Sequence, residues 1–448
     1  MARRLKVLIS AYACEPGRGS EPEVGWQWAL QMARFHDVTV LTRANNQPTI
    51  EPGLAALPSS QPRPGFVYHD ESALALEVKR GAQAHKFYYL LWQHSARQIV
   101  ERLHRERQFD LLHHVTFAAF RWPAAIWGHG VPCIWGPVGG MESVPLRLLP
   151  WSHPRSLLYE AGRSIHNRIE ASPFYHLPRR AGASSLVLAS TREMSRVLQQ
   201  HGYAAPIVSA IGLHAAGTAA IPHPAREGPL RLLYVGNLIM LKGPDLALHA
   251  LARSGTNATL TMVGDGDSLA ATRKLAARLG IADRVCFRGR LPRTEVLRLY
   301  PEFDVFLFPS LHDTGGYAVI EAMSNRLPVI CLDCGGPALA VQDGCGVRVP
   351  LGSRAGVITG LARAIAGYCR DRQRVGREGA AARGVIERDY DWDRKGEQMN
   401  DLYQKTAEAR AIPGRPAAYT GMGTTARLLR RLLSLRGLAA GLATWILS

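Results

Sequence analysis

Short apolar runs alternate with amphipathic stretches along most of this chain. In the first half the runs fall at residues 5–10, 38–42, 110–116, 131–135 and 185–190. In the second they fall at 232–235, 259–263, 285–287, 305–308, 328–332 and 346–349. They are apolar throughout rather than at every second position, which is the pattern of strands buried on both faces. Between them, residues 22–33, 74–107, 155–171 and 191–200 read as helices, and later 245–253, 268–279, 294–301, 316–325 and 354–369. Strand and helix in alternation predict parallel sheets covered by helices on both sides. Residues 44–65, rich in Pro, Asn and Ser, read as a loop. An Ala-, Gly- and Pro-rich stretch at 215–229 separates the two series. The expected class is therefore α/β, with two Rossmann-like, doubly wound domains facing each other across a cleft. The boundaries are 1–215 and 216–390, with a helix at 391–407 and a tail at 408–448.

A length of 448 residues suits two domains of ordinary size. Composition adds one thing: 54 Lys+Arg against 36 Asp+Glu give a formal charge of +18, which points to an anionic partner. No recognised nucleic-acid module accompanies it, so no nucleic acid is expected. Cys331 and Cys334 form an isolated Cys-x-x-Cys without a second pair at zinc spacing, and no metal site is expected. The wide scatter of the seven cysteines suits a reducing, cytoplasmic setting. The N-terminal run is short and cut by Lys6, which favours a first buried strand over a leader. The tail changes character: Ala426 to Arg436 is basic and amphipathic, and the end is apolar but too short to span a bilayer. Peripheral contact with the inner face of a membrane is the expectation there.

The candidate chemistry concentrates at Phe308–Pro337. An apolar strand ends at Pro309-Ser310, and Gly315-Gly316 opens a helix. Asp313 and Glu321 stand eight positions apart, one in the loop and one inside the helix. Both lie near the C-terminal edge of a parallel sheet, where open α/β folds bind ligands. The amides at Gly315 and Gly316 suit an anion or a sugar hydroxyl. A second loop of this kind, Gly17-Arg18-Gly19-Ser20, follows the first strand.

These blocks, taken in order, resemble the retaining glycosyltransferases of GT-B architecture, family 4. The resemblance rests on Leu233-Tyr234-Val235-Gly236-Asn237-Leu238 with Lys242-Gly243, on Met262-Val263-Gly264-Asp265-Gly266, on Asp304 to Ser310, and on Asp313 to Glu321 as the Glu-x7-Glu motif. It implies transfer of a sugar from a nucleotide-sugar donor to a glycan or lipid-linked acceptor, with retention of anomeric configuration, in cell-surface or exopolysaccharide synthesis. No cofactor or essential metal is implied. By the same resemblance Lys242 is the cation on the diphosphate and Asp313 meets the transferred sugar. Glu321 takes the ribose hydroxyls, while Gly315, Gly316 and Tyr317 meet phosphate or sugar. Gly17 and Gly19 close the cleft from the other domain. His114, at the end of a strand, is placed against acceptor or phosphate. The chain departs from the family twice: Asp313 stands for Glu, and Asn237 stands where a donor-loop arginine is usual, so one phosphate-binding cation is either missing or supplied from elsewhere. A nucleotide-sugar epimerase of the same architecture and a non-catalytic sugar-nucleotide-binding protein are the alternatives.

Overall fold

The computed structural model describes residues 3–71, 84–122, 124–149, 154–170, 185–214 and 227–409. Most of the 215–229 linker and of the basic tail expected at 408–448 lie outside the described residues. The first half contributes β1 (Lys6–Ala11), α1 (Ser20–Ala33), β2 (Asp37–Thr42), α2 (Gln47–Ala55), β3 (Gly65–Tyr68), α3 (Ala84–Arg107), β4 (Leu111–Thr116), β5 (Cys133–Val138), α4 (Pro154–Glu170), β6 (Ser185–Ala189) and α5 (Arg192–Gln200). The second contributes β7 (Arg231–Val235), α6 (Pro244–Arg253), β8 (Thr259–Val263), α7 (Leu269–Arg278), β9 (Val285–Gly289), α8 (Arg293–Leu299) and β10 (Val305–Phe308). It continues through α9 (Tyr317–Ser324), β11 (Val329–Leu332), α10 (Gly335–Ala340), β12 (Gly346–Val349), α11 (Arg354–Arg370), α12 (Gln373–Val385) and α13 (Trp392–Glu408).

Both sheets are parallel, and they repeat one topology. The first runs β3-β2-β1-β4-β5-β6. The second, read from its other edge, runs β9-β8-β7-β10-β11-β12, the same order in its own numbering. In each sheet the connections reverse direction between the two middle strands, β1/β4 and β7/β10. The loops leaving the C-terminal ends of these strands frame a crevice. Those are the Gly17 loop and the Lys242 and Asp313 loops.

The expectation of a loop over 44–65 is corrected: it holds α2, and β3 starts at Gly65. Pro48 sits in the first turn of α2, where a missing N–H costs nothing, so proline here starts a helix rather than preventing one.

The halves are interlocked by an exchange of segments. One apolar core joins Trp28 and Ile211 to Phe306, Val319, Trp392 and Tyr403. Asp391 caps α13, its Oδ1 accepting from the amides of Asp393 and Arg394. The helix then lies on the first domain, with Gln31 donating to Asp393 at 3.0 Å and Tyr403 Oη lying 2.6 Å from His113 Nδ1. In the other direction, Val144, Leu148 and Leu149, from the long β5–β6 connection, are buried in the core of the second domain. Arg354 donates to the Leu148 carbonyl at 2.6 Å, and Arg147 to that of Gly352 at 2.8 Å.

Candidate active site

The second-domain site is built by two loops that hold each other. After β7 the chain turns through a short 3-10 segment, Met240–Lys242, and reverses at Gly243. Gly243 has φ 65°, and a Cβ there would lie 2.2 Å from the Pro309 carbonyl oxygen, so only glycine allows the two loops to touch. Leu311 N donates to the Leu241 carbonyl at 2.8 Å and fixes the register between them. The result sets Lys242 against the acid loop: its Nζ donates to Asp313 Oδ2 at 2.6 Å and to the His312 carbonyl at 3.0 Å.

Asp313 is engaged on both oxygens. Its Oδ1 accepts from Gly315 N at 3.2 Å and Gly316 N at 2.7 Å. The amides expected to meet phosphate or sugar thus donate to the chain's own carboxylate, the short side chain folding back over the helix start. Glu321, one turn into α9, is buried and also engaged on both oxygens. Arg293 donates to Oε1 from Nε (3.1 Å) and Nη2 (2.8 Å), and Tyr300 donates to Oε2 at 3.2 Å. Burial pulls the Arg293 guanidinium down, but Glu321 more than offsets this and holds it above its ordinary value.

The first domain meets this edge at several points. Gly335 N donates to Glu193 Oε1 at 3.3 Å, from α5. Tyr317 keeps a buried hydroxyl with no hydrogen bond. Burial first, and then the charge of Glu23 in α1, raise its phenol well above the ordinary range. Glu23 also accepts from Gly17 N at 2.6 Å, which ties the glycine loop to the same helix. Gly17 and Gly19 have φ 70° and 67°, and no atom lies within 4 Å of where a Cβ would stand at either. Asn237 is exposed on the loop after β7. From α4, Arg163 Nη1 lies 3.2 Å from His312 Nε2, while Glu160 holds the same guanidinium at 2.6 Å. His312 therefore does not simply point to solvent. Burial, with Arg163 and Lys242 beside it, lowers its pKa to about 4, so the ring is neutral near pH 7.

The expectation for His114 is corrected. β4 is a central strand covered on both faces, and both of its histidines are buried. His114 lies 3.2 Å from Tyr89 Oη through Nε2 and 3.2 Å from Ser10 Oγ through Nδ1. His113 lies on the opposite side, between Tyr403 Oη and the Gly136 carbonyl. Burial lowers their pKa values to about 3 for His114, with help from His113, and about 4 for His113. Both act as neutral members of the core.

The structure therefore groups Lys242, Asp313, Gly315, Gly316, Tyr317 and Glu321 at one sheet edge and leaves His114 out. Sequence reasoning missed Arg293, Tyr300, Glu193 and Arg163. Arg293 carried a usable signal: it opens the helix after β9, on the same C-terminal sheet edge. Arg163 carried none, because it lies in a long connection whose course is set only by tertiary packing. Among the described residues, no group of three or more His, Cys, Asp or Glu side chains could hold a metal ion, and no helix is long and apolar enough to cross a membrane.

Residues 219–381 match the family described as Glycosyl transferases group 1. A D-inositol 3-phosphate glycosyltransferase from Streptomyces bingchenggensis is 32% identical over 248 residues, covering 50% of this chain and 53% of that protein. The chain spans about half the length of the curated relatives it matches. A solved glycosyltransferase from Rickettsia africae superposes with a TM-score of 0.59 at 13% identity, covering 91% of this chain and 99% of that one. Alr3699/HepE from Anabaena, solved with UDP and glucose, gives a TM-score of 0.56 at 15% identity and covers 90% and 100%. The two-domain architecture is that of the GT-B fold, and the stretch that matches the Glycosyl transferases group 1 model falls on its second domain.

Proposed function

We propose that this chain is a retaining glycosyltransferase that takes a nucleoside diphosphate sugar and passes the sugar to a glycan or lipid-linked acceptor, in cell-surface or exported polysaccharide synthesis. The observation that carries the reading is the convergence of Lys242, the Gly315 and Gly316 amides and Asp313 on one point at the switch edge of the second sheet. A departing nucleoside diphosphate builds negative charge on its phosphate oxygens, and an ammonium with two aligned amides is the donor set that lowers that barrier. On this reading the phosphate takes the place that the Asp313 carboxylate holds, and the freed carboxylate turns to the transferred sugar. Glu321, fixed by Arg293 and Tyr300, offers its carboxylate to the ribose. Arg293 is the cation we assign in place of the one missing at Asn237. The family match and the UDP and glucose bound by the Anabaena relative support the donor class.

The test is a thermal-shift screen against UDP, GDP, ADP and their sugars, because a ligand bound to the native state raises the melting temperature. Donor hydrolysis and transfer by Lys242→Ala and Glu321→Ala follow. Wild-type rates in both variants would overturn the site assignment. The anomeric configuration of the product, read by NMR, tests retention.

A further inference from the structure

α6 and α7 pack side by side, and the furrow between them deepens into a cavity of about 120 Å³. One water needs roughly a tenth of that space, so the cavity suits a small polyatomic ligand. Helical spacing builds its walls. Asp245 and His249 stand one turn apart on α6, while Ser268, Thr272, Leu275 and Arg278 fall at i, i+4, i+7 and i+10 along one stripe at and beyond the start of α7. Met240 and Pro244 add apolar wall, and Arg354, the first residue of α11, adds a guanidinium. None of Lys242, Asp313, Gly315, Gly316 and Glu321 lines this cavity. Met240 nevertheless begins the 3-10 segment that ends at Lys242, so the cavity lies behind the same loop.

The charges around the cavity do not balance. Two guanidiniums, Arg278 and Arg354, and the His249 imidazole meet one carboxylate, Asp245. That carboxylate is paired with Arg354, which also donates to the Leu148 carbonyl at 2.6 Å and is thereby fixed in place. Among the described residues, Arg278 has no ion-pair partner and His249 no hydrogen bond. Asp265 and Asp267, on the turn before α7, are exposed and do not line the cavity. The field of both guanidiniums reaches His249: burial lowers its pKa first, then Arg354, with Asp245 opposing and Arg278 adding. A phosphoryl group matches this set. The guanidinium fork of Arg278 takes two phosphate oxygens, and an imidazole N–H donates to a third. Ser268 and Thr272 put hydroxyls on the same wall, within the reach of a small polyol. We infer that this cavity is an anion site for a phosphoryl group, free or esterified to a small polyol, held by Arg278 and His249 beside the fixed Arg354. The site shares no side chain with the donor crevice, so it stands or falls independently of the transferase reading.

The test is titration calorimetry of the full chain, in a buffer free of phosphate and sulfate, with inorganic phosphate, glycerol 3-phosphate and glycerol. The two phosphates bind and glycerol does not. Arg278→Gln binds them about tenfold more weakly, the loss expected for one hydrogen bond to a charged group, and Arg278→Gln/His249→Gln does not bind. Lys242→Ala, in the crevice, binds as the wild type does. Arg278 is exposed and His249 half-buried, so these changes leave the core intact, and circular dichroism shows that each variant is folded. An ester that binds more tightly than inorganic phosphate identifies a polyol phosphate as the ligand; otherwise free phosphate is assigned. Four results overturn the inference: no binding of either phosphate by the wild type, glycerol binding as well as its phosphate, wild-type affinity in the double variant, or loss of binding in Lys242→Ala, which would put the anion in the crevice.

Discussion

Lys242 and Asp313 form an ion pair of 2.6 Å across two loops of the second domain, each side chain about four-fifths buried. Asp313 also caps the two glycine amides, so its carboxylate occupies the position that an anionic ligand would take. The first prediction concerns this competition. Asp313→Asn keeps an acceptor for the amides but removes the charge. A partly solvated pair of this kind contributes about 1 kcal/mol, so nucleoside diphosphate should bind about fivefold tighter by calorimetry. Turnover should fall about tenfold or more if the carboxylate serves the sugar. Unchanged nucleotide affinity would show that the carboxylate and the phosphates do not share the site.

Tyr300→Phe removes the hydroxyl that donates to Glu321 Oε2 from a fully buried ring. The loss of a buried hydrogen bond to a charged acceptor should cost about 1–2 kcal/mol in urea unfolding. If Glu321 holds the donor's ribose, KM for the donor rises while kcat holds. A fall in kcat at constant KM would place the effect elsewhere.

Gly335→Ala tests the frame of the acid loop. Gly335 has φ 63°, and a Cβ there would stand 2.3 Å from the Asp313 carbonyl oxygen. Backbone strain of this kind costs about 1–3 kcal/mol before the clash is relieved. The chain should fold with a lower melting temperature, and nucleotide-induced stabilisation should disappear because Asp313 shifts with its backbone. Retained stabilisation by nucleotide would count against that coupling.

Acid should weaken the fold before it reaches any carboxylate range. His36, His113 and His114 are buried, and burial lowers their pKa values to about 4, 4 and 3. The unfolded chain binds protons at these sites near the ordinary histidine value of about 6.5, so it gains protons first as the pH falls. The stability they contribute is complete above about pH 6.5 and is lost as the pH drops toward the folded values. At pH 5 the loss is about 2 kcal/mol for each histidine. Urea unfolding at pH 7 and pH 5 measures it, and equal stability at both would refute the buried neutral assignment.

The strands were legible because a strand covered on both faces is a continuous apolar run. Val305–Phe308 and Thr259–Val263 stand where their composition places them. The acid loop was legible for the same reason, since a topology of known order puts the end of β10 at the crevice. Its partners were harder to see. Arg293 meets Glu321, and Arg163 meets His312, through pairings set by packing between distant segments, which leave no local periodicity. His114 shows the reverse case: a strand-end histidine has the right sequence position for a site, yet a central strand gives it no route to solvent. The prolines of 44–65 pointed to a loop, but Pro48, in the first turn of a short helix, is compatible with that helix, and Pro52 is accommodated inside it.

The exchange of segments between the halves bears on how the chain is made. His113 in β4 waits for Tyr403, and Trp28 for Trp392, so the first domain cannot finish its core until nearly the last described residues have left the ribosome. The second domain in turn needs Val144, Leu148 and Leu149, which emerge early. A fragment cut at the linker would leave one half without its last helix and the other with an apolar socket open to water. Neither piece is a self-sufficient folding unit, and unfolding should pass through both halves as one event.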